Sequence, residues 1–122
     1  KASTAATASN PEKAITATIN EWAKAWSDKK VDTYLAYYGA SFKPAKGMSR
    51  KAWEQQRTER ITKPSKINVG VSNLKIETDG NTATAKFKQS YRADGGTIYT
   101  RKTLLMKRDG EDWYIVEEIA NN

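Results

Sequence analysis

Residues 67–91 read INVGVSNLKIETDGNTATAKFKQSY, and the alternation of their apolar positions decides the fold. A period of two marks half-buried strands, and Thr78-Asp79-Gly80-Asn81 interrupts it with an Asp-Gly turn that supplies positive φ. Pairing Thr78 with Asn81 sets Leu74 opposite Ala85 and Ile76 opposite Ala83, and Phe87, Gln89 and Tyr91 continue on that face. Lys86, Lys88 and Arg92 point the other way. Upstream the apolar residues are odd-numbered (Ile67, Val69, Val71), then even-numbered (Leu74, Ile76), which predicts a bulge near Ser72 and Asn73 that curves the sheet. A second hairpin turns at Asp109-Gly110, placing Met106 beside Trp113, Leu104 beside Ile115 and Lys102 beside Glu117. Its other face holds Leu105, Tyr114 and Val116, more apolar surface than one helical layer needs to cover. A second copy of the chain on that face, giving a homodimer through the sheet, is the expected solution.

Before residue 64 the period is helical. Ile15, Ile19, Trp22 and Trp26 follow at steps of four, three and four on a helix capped by Ser9 or Asn10 and ending near Asp28. A short helix over 31–38 buries Val31, Leu35 and Tyr38 and ends at Gly39. Ser49 caps a third helix through Trp53, Arg57, Arg60 and Ile61, stopped by Pro64. Helices first and antiparallel strands after give one α+β domain over residues 10–122. Residues 1–9, nearly all Ala, Thr and Ser, read as a linker or tail. The start without Met predicts a domain of a longer polypeptide, or a mature form after signal removal.

At 122 residues, with 38% hydrophobic residues, four Trp and six Tyr, the chain can bury a core without disulfides or metal. No apolar run approaches the ~20 residues of a membrane span. The absence of Cys and His removes thiol nucleophiles, zinc sites of that type and the histidine acid/base, so neither cofactor nor metal is expected. The net charge of +7 favours anionic partners. Arg50, Lys51, Arg57, Arg60 and Lys63 on the third helix, with Lys86 and Lys88, form the basic footprint. Nucleic acid is disfavoured: no RNP-like, zinc-finger or helix-turn-helix signature appears, and Glu54, Glu59 and Asp94 interrupt the charge.

The order of elements and the segment Asp109 to Glu117 (DGEDWYIVE) resemble the nuclear transport factor 2-like (NTF2-like) cone, three N-terminal helices on a curved antiparallel sheet of about four long strands. Phe42-Lys43-Pro44, Gly47 to Arg50, Trp53-Glu54-Gln55-Gln56-Arg57, Arg60-Ile61, Phe87-Lys88-Gln89-Ser90-Tyr91 and Lys102-Thr103-Leu104 carry a closer likeness. They look like the NTF2-like (SnoaL-like) domain at the C-terminus of some bacterial L,D-transpeptidases and tetratricopeptide-repeat envelope proteins. That resemblance implies a periplasmic or envelope setting, a parent protein working on peptidoglycan, an upstream catalytic domain in the same polypeptide and an accessory role here. The transpeptidase step itself uses a cysteine, and this chain has none.

In a cone fold the pocket opens between the helices and the concave sheet. Trp26, Tyr38 and Trp53 supply aromatic walls, Arg57 the nearest cation, and Gln89, Tyr91, Lys102, Trp113 and Glu117 the sheet side. This set suits a small anionic or sugar-like ligand, or peptidoglycan itself. The structural alternative is that the aromatics fill the cone and Arg57 pairs with a carboxylate such as Glu117. A Lys102–Glu117 cross-strand pair is an ordinary sheet feature worth ~0.2–1 kcal/mol when exposed. Enclosed among Trp113, Leu104 and Tyr91, that carboxylate becomes a general base with raised pKa. The expected function is therefore a non-catalytic ligand-binding, docking or dimerisation module. The alternative is a small ketosteroid-isomerase or polyketide-cyclase-like enzyme with Glu117 as base and Tyr91 or Tyr99 as donor.

Overall fold

A computed structural model describes residues 11–121, so the cap at Ser9 or Asn10 and the tail over 1–9 lie outside the described residues. Helix α1 (Pro11–Ser27) buries the expected stripe: Ile15, Ile19 and Trp22 are fully enclosed and Trp26 nearly so. Helix α2 (Val31–Ala36) is shorter than expected and buries Tyr34, while Val31 and Leu35 are only partly covered. Tyr38 leaves the helix and forms a parallel bridge to Ile115. Gly39 is therefore not a helix cap. Its N–H donates to the Ile115 carbonyl at 2.9 Å, and a Cβ there would lie 3.1 Å from the Tyr114 Cβ, a contact tight enough that Tyr114 would have to move aside. One 3₁₀ turn (Ala45–Gly47) leads to helix α3 (Arg50–Thr62). The Ser49 hydroxyl accepts the Ala52 N–H at 3.1 Å, the cap its position foretells, and Trp53 and Ile61 are buried.

The strands β1 (Ile67–Asp79), β2 (Thr82–Ala93), β3 (Gly96–Asp109) and β4 (Asp112–Asn121) form one antiparallel sheet in chain order. The expected bulge is present between Ser72 and Lys75, with Asn73 at φ 56°. Both hairpins turn one residue later than expected. Asp79 pairs with Thr82 and Asp109 with Asp112, so Gly80-Asn81 and Gly110-Glu111 make the turns and the glycines hold φ of +62° and +67°. The first register moves by two, giving Ile76 opposite Ala85 and Thr78 opposite Ala83. A shift of two preserves the side-chain faces, so Ala83, Ala85, Phe87 and Gln89 still point inward.

The second hairpin carries a further irregularity. Met106 pairs with Ile115, but Leu105 pairs with Glu117 and Leu104 with Glu118, so Val116 is an extra residue on β4. Beyond it every side chain changes face. Glu117 is exposed and turned outward, and Glu118 faces the core. The expected Lys102–Glu117 pairing is thus corrected: Lys102 lies opposite Ala120 and meets Glu118 instead. The free edge of β4 is blunted by the segment after α2, through Ile115 N–H to Tyr37 O (2.8 Å) and Lys43 N–H to Val116 O (3.0 Å). On the outer face Leu105, Tyr114 and Val116 are half-buried.

Candidate functional site

The concave face of the sheet, α1 and α3 enclose a cavity of about 700 Å³. Strand alternation delivers Gln89 and Tyr91 from β2 and Lys102 from β3, the Val116 bulge delivers Glu118, and α3 lays Arg57 and Arg60 along the opposite wall. Trp26 from α1 closes one side and Ile98 stands near the mouth. A smaller annex of about 190 Å³, lined by Phe42, Met48 and Trp53, shares Arg57, Arg60 and Glu118 with it.

At the base sits a closed polar circuit. The Lys102 ammonium donates to Glu118 Oε2 at 2.6 Å, and both side chains are almost wholly enclosed (7% and 6% exposed). Tyr38 OH donates to Glu118 Oε1 at 2.9 Å, and Arg57 Nη2 lies 3.5 Å from the same oxygen. Arg57 Nη1 donates to Tyr34 OH at 2.7 Å. Because Tyr38 spends its single proton on Glu118, the Tyr34 hydroxyl donates across the 3.0 Å separation to Tyr38, which also accepts from Trp22 Nε1 at 3.1 Å. Aromatic faces steady the cations: Arg57 lies 5.2 Å from the Trp53 ring centre, and Lys102 5.5 Å from that of Trp26.

These neighbours set the protonation states. Burial pushes the Glu118 carboxyl upward, but Lys102 and Arg57 outweigh it and hold the pKa below the usual 4.5. Burial, reinforced by the Glu118 charge, pushes the Tyr34 phenol up to about 12, and Tyr38 moves well above the ordinary range for the same reasons. For Arg57 burial opposes the charged form, yet Glu118 and the two tyrosines more than compensate, so it stays a cation. Glu118 is consequently an ionised, doubly paired carboxylate and a poor proton acceptor.

Two polar atoms of this wall remain unpaired among the described residues although they are buried: Arg57 Nε and Gln89 Oε1. The lining carries Lys46, Arg57, Arg60, Lys63 and Lys102 against the single carboxylate of Glu118. Such a lining has the charge to hold an anion, and Gln89 Oε1 is an acceptor left for a donor group. No cluster of Asp or Glu among the described residues has the makings of a metal site. A separate hollow of about 570 Å³ beside Ser27, Lys66 and Arg92 has its Lys29 engaged with the carbonyls of Thr62 and Pro64.

Of the residues singled out from sequence, Trp26, Arg57, Gln89, Tyr91 and Lys102 meet around the main cavity. Trp53 lines the annex and Tyr38 lies beneath the floor, reaching it only through its hydroxyl. Trp113 is buried in the core and contributes to neither wall. Glu117 lies on the far side of the sheet from Tyr91, and Tyr99, although on the same outer face as Glu117, is six residues along β3 from Leu105, the residue opposite Glu117, so neither base–donor set built on Glu117 assembles in the cavity. Tyr34 and Glu118 were missed. The four-residue step from Tyr34 to Tyr38 was the available signal for the first, whereas nothing in the sequence marks the Val116 bulge that creates the second.

The sequence matches the family model described as the Cds6 C-terminal NTF2-like domain over residues 14–119. The chain belongs to this NTF2-like family. Among curated proteins none matches. Among solved structures, Bd1075 of Bdellovibrio bacteriovorus superposes with a TM-score of 0.80 at 24% identity, covering 88% of this chain and 40% of that one. A single-residue variant of the helical cell shape determining protein Pgp2 from Campylobacter jejuni gives 0.77 at 18%, covering 86% and 39%. An NTF2-like protein of unknown function from Pseudomonas putida gives 0.77 at 16%, covering 98% and 88%. The chain therefore has the expected cone fold and spans about two-fifths of the length of Bd1075 and Pgp2. No helix among the described residues is long and apolar enough to cross a membrane.

Proposed function

We propose that this chain is a non-catalytic, ligand-binding accessory module of a bacterial cell-envelope protein that works on peptidoglycan in the periplasm. Its cavity holds a small anionic, sugar-like ligand and positions it for a catalytic domain elsewhere in the same polypeptide. The observation that carries the reading is the state of Glu118: a carboxylate held by Lys102, Arg57 and Tyr38, with its pKa lowered, is a structural counter-ion rather than a general base. What remains in the lining is an excess of cations and an unpaired Gln89 acceptor. The likeness to a cell shape determining protein more than twice as long supports the envelope setting and the accessory role.

Muramyl dipeptide, a sugar bearing a carboxylate-terminated peptide, tests this by titration against the intrinsic tryptophan fluorescence, to which Trp26 in the cavity wall and Trp53 in the annex contribute. Saturable binding that weakens about tenfold in Gln89→Leu and in Arg60→Gln, each removing one polar partner, is the expected result. Binding indifferent to both substitutions, or no saturation, contradicts it. A second role as a docking module is favoured by the half-buried Leu105, Tyr114 and Val116 on the outer face, and sedimentation across a concentration series reads a homodimer directly.

A further inference from the structure

The outer face of the sheet carries an arrangement that folding alone disfavours. Lys75 on β1 lies directly opposite Lys86 on β2, and Lys88 on β2 lies directly opposite Arg101 on β3. Like charges placed opposite each other repel across the strands. All four side chains are exposed, and none joins an ion pair among the described residues. Lys86 and Lys88 share a face two residues apart, so the two pairs join into a zigzag block of four cations across β1, β2 and β3, its successive positions about 5 Å apart across the strands and about 7 Å along β2. The outward acids Glu77 and Glu117 both occupy the next row toward the other hairpins and bound the block on that side only.

Next to the block stands Tyr99, 62% exposed on the same face. It lies opposite Ser90, which puts Lys88 and Arg92 at its two diagonals and Arg101 beside it along β3. The Lys88 ammonium sits 5.2 Å from the Tyr99 ring centre. One open aromatic ring is thus surrounded by three cations on a regular, convex surface.

We propose that this outer face docks an acidic polysaccharide, a sugar chain carrying carboxylates, with one sugar ring stacked on Tyr99 and its acid groups on Lys75, Lys86, Lys88, Arg92 and Arg101. Charge complementarity selects a polyanion. The one widely exposed ring of this face among the described residues selects the kind: single-stranded nucleic acid is held by successive stacking platforms, and the face's other ring, Tyr114, is half-buried and lies near the hairpin turns, away from Tyr99. A bilayer surface calls for an apolar wedge standing free beside the cations; the outer face's Leu105, Tyr114 and Val116 are half-buried and lie at or beyond the row of Glu77 and Glu117, and Ile98, the other widely exposed large apolar residue among the described residues, lines the cavity on the opposite face. The surface is independent of the cavity, so Gln89→Leu leaves it unaltered.

Affinity electrophoresis of the 122-residue chain in gels containing polygalacturonate tests the assignment, with neutral dextran, oligo(dT) and phosphatidylglycerol vesicles as competing partners. Retardation by polygalacturonate but not dextran is expected, weakening as salt rises. Lys88→Glu combined with Lys75→Glu should reduce affinity by about tenfold or more, and Tyr99→Ala should reduce it without changing the salt dependence. Lys51→Glu with Lys43→Glu makes the same change in net charge away from the face and should leave binding intact. Equal loss in that control, stronger binding to oligo(dT) or vesicles, or self-association abolished by the Lys75/Lys88 variant would each overturn the proposal. Circular dichroism and melting of every variant separate lost binding from lost folding.

Discussion

Replacing Glu118 by Gln removes the one negative charge of the cavity lining and leaves the two cations paired with it, Lys102 and Arg57, without their counter-ion. Lys102 is 2.6 Å from it and only 7% exposed, so the ammonium is left without a counter-ion in an enclosed place. Breaking a buried pair from one side costs about 3–5 kcal/mol. Gln retains an oxygen that can accept from Tyr38, and Arg57, 17% exposed beside an open cavity, can be reached by water, which puts the expected loss near the low end, about 3 kcal/mol. For a domain of this length that corresponds to a fall in Tm of about 12 °C. Glu117→Gln, one residue earlier and exposed, should stay within about 0.5 kcal/mol of the parent. Urea and thermal unfolding at pH 7 read both. The linkage adds a signature: the folded pKa of Glu118 lies below its ordinary 4.5, so its stabilisation is complete above that value and is lost as pH falls through the folded pKa. The gap between parent and Glu118→Gln should therefore narrow on acidification below about pH 4.5. Equal effects of the two substitutions, or a larger effect at Glu117, would refute the bulge at Val116 and the circuit built on it.

Tyr38→Phe deletes the hydroxyl that joins Trp22, Tyr34 and Glu118, strands the Trp22 indole N–H, and should cost about 1–3 kcal/mol in denaturant unfolding. Gly39→Ala forces a Cβ against Tyr114 and should destabilise by about 1–3 kcal/mol, with the loss recovered in part when Tyr114 is also made smaller, a double-mutant cycle read by melting. Lys88→Glu turns a repulsive pair with Arg101 into an attractive one and should raise stability by about 0.5 kcal/mol at low salt, an increment that disappears as salt is added.

The architecture was legible where local chemistry and pattern agree. The α1 stripe, the Ser49 cap and the change from a period of 3.6 to two each follow from a physical rule that acts within a few residues. The bulge at Ser72 to Lys75 announced itself because the apolar residues change parity there. The bulge at Val116 did not: Trp113, Ile115 and Ile119 keep one parity, so the pattern gives no sign that Glu118, rather than Glu117, turns inward. Its cause lies in the pairing of β4 with β3 and with the segment after α2, contacts that no sequence window spans. Hairpin register was similarly underdetermined, because Asp-Gly followed by Asn or Glu allows the turn to begin at either residue. That error was harmless in the first hairpin, where a shift of two keeps the faces, and in the second the bulge moved the acid of the site by one position.

The proposed binding role of the cavity rests on Glu118 being an ionised counter-ion to Lys102 and Arg57. A carbon-detected NMR titration of the Glu118 carboxyl tests it most directly. A single midpoint below the ordinary 4.5 is expected, unchanged by Glu117→Gln and moved upward when Lys102 is replaced by Met. A midpoint near or above neutrality would contradict it and make Glu118 a general base poised in an enclosed pocket.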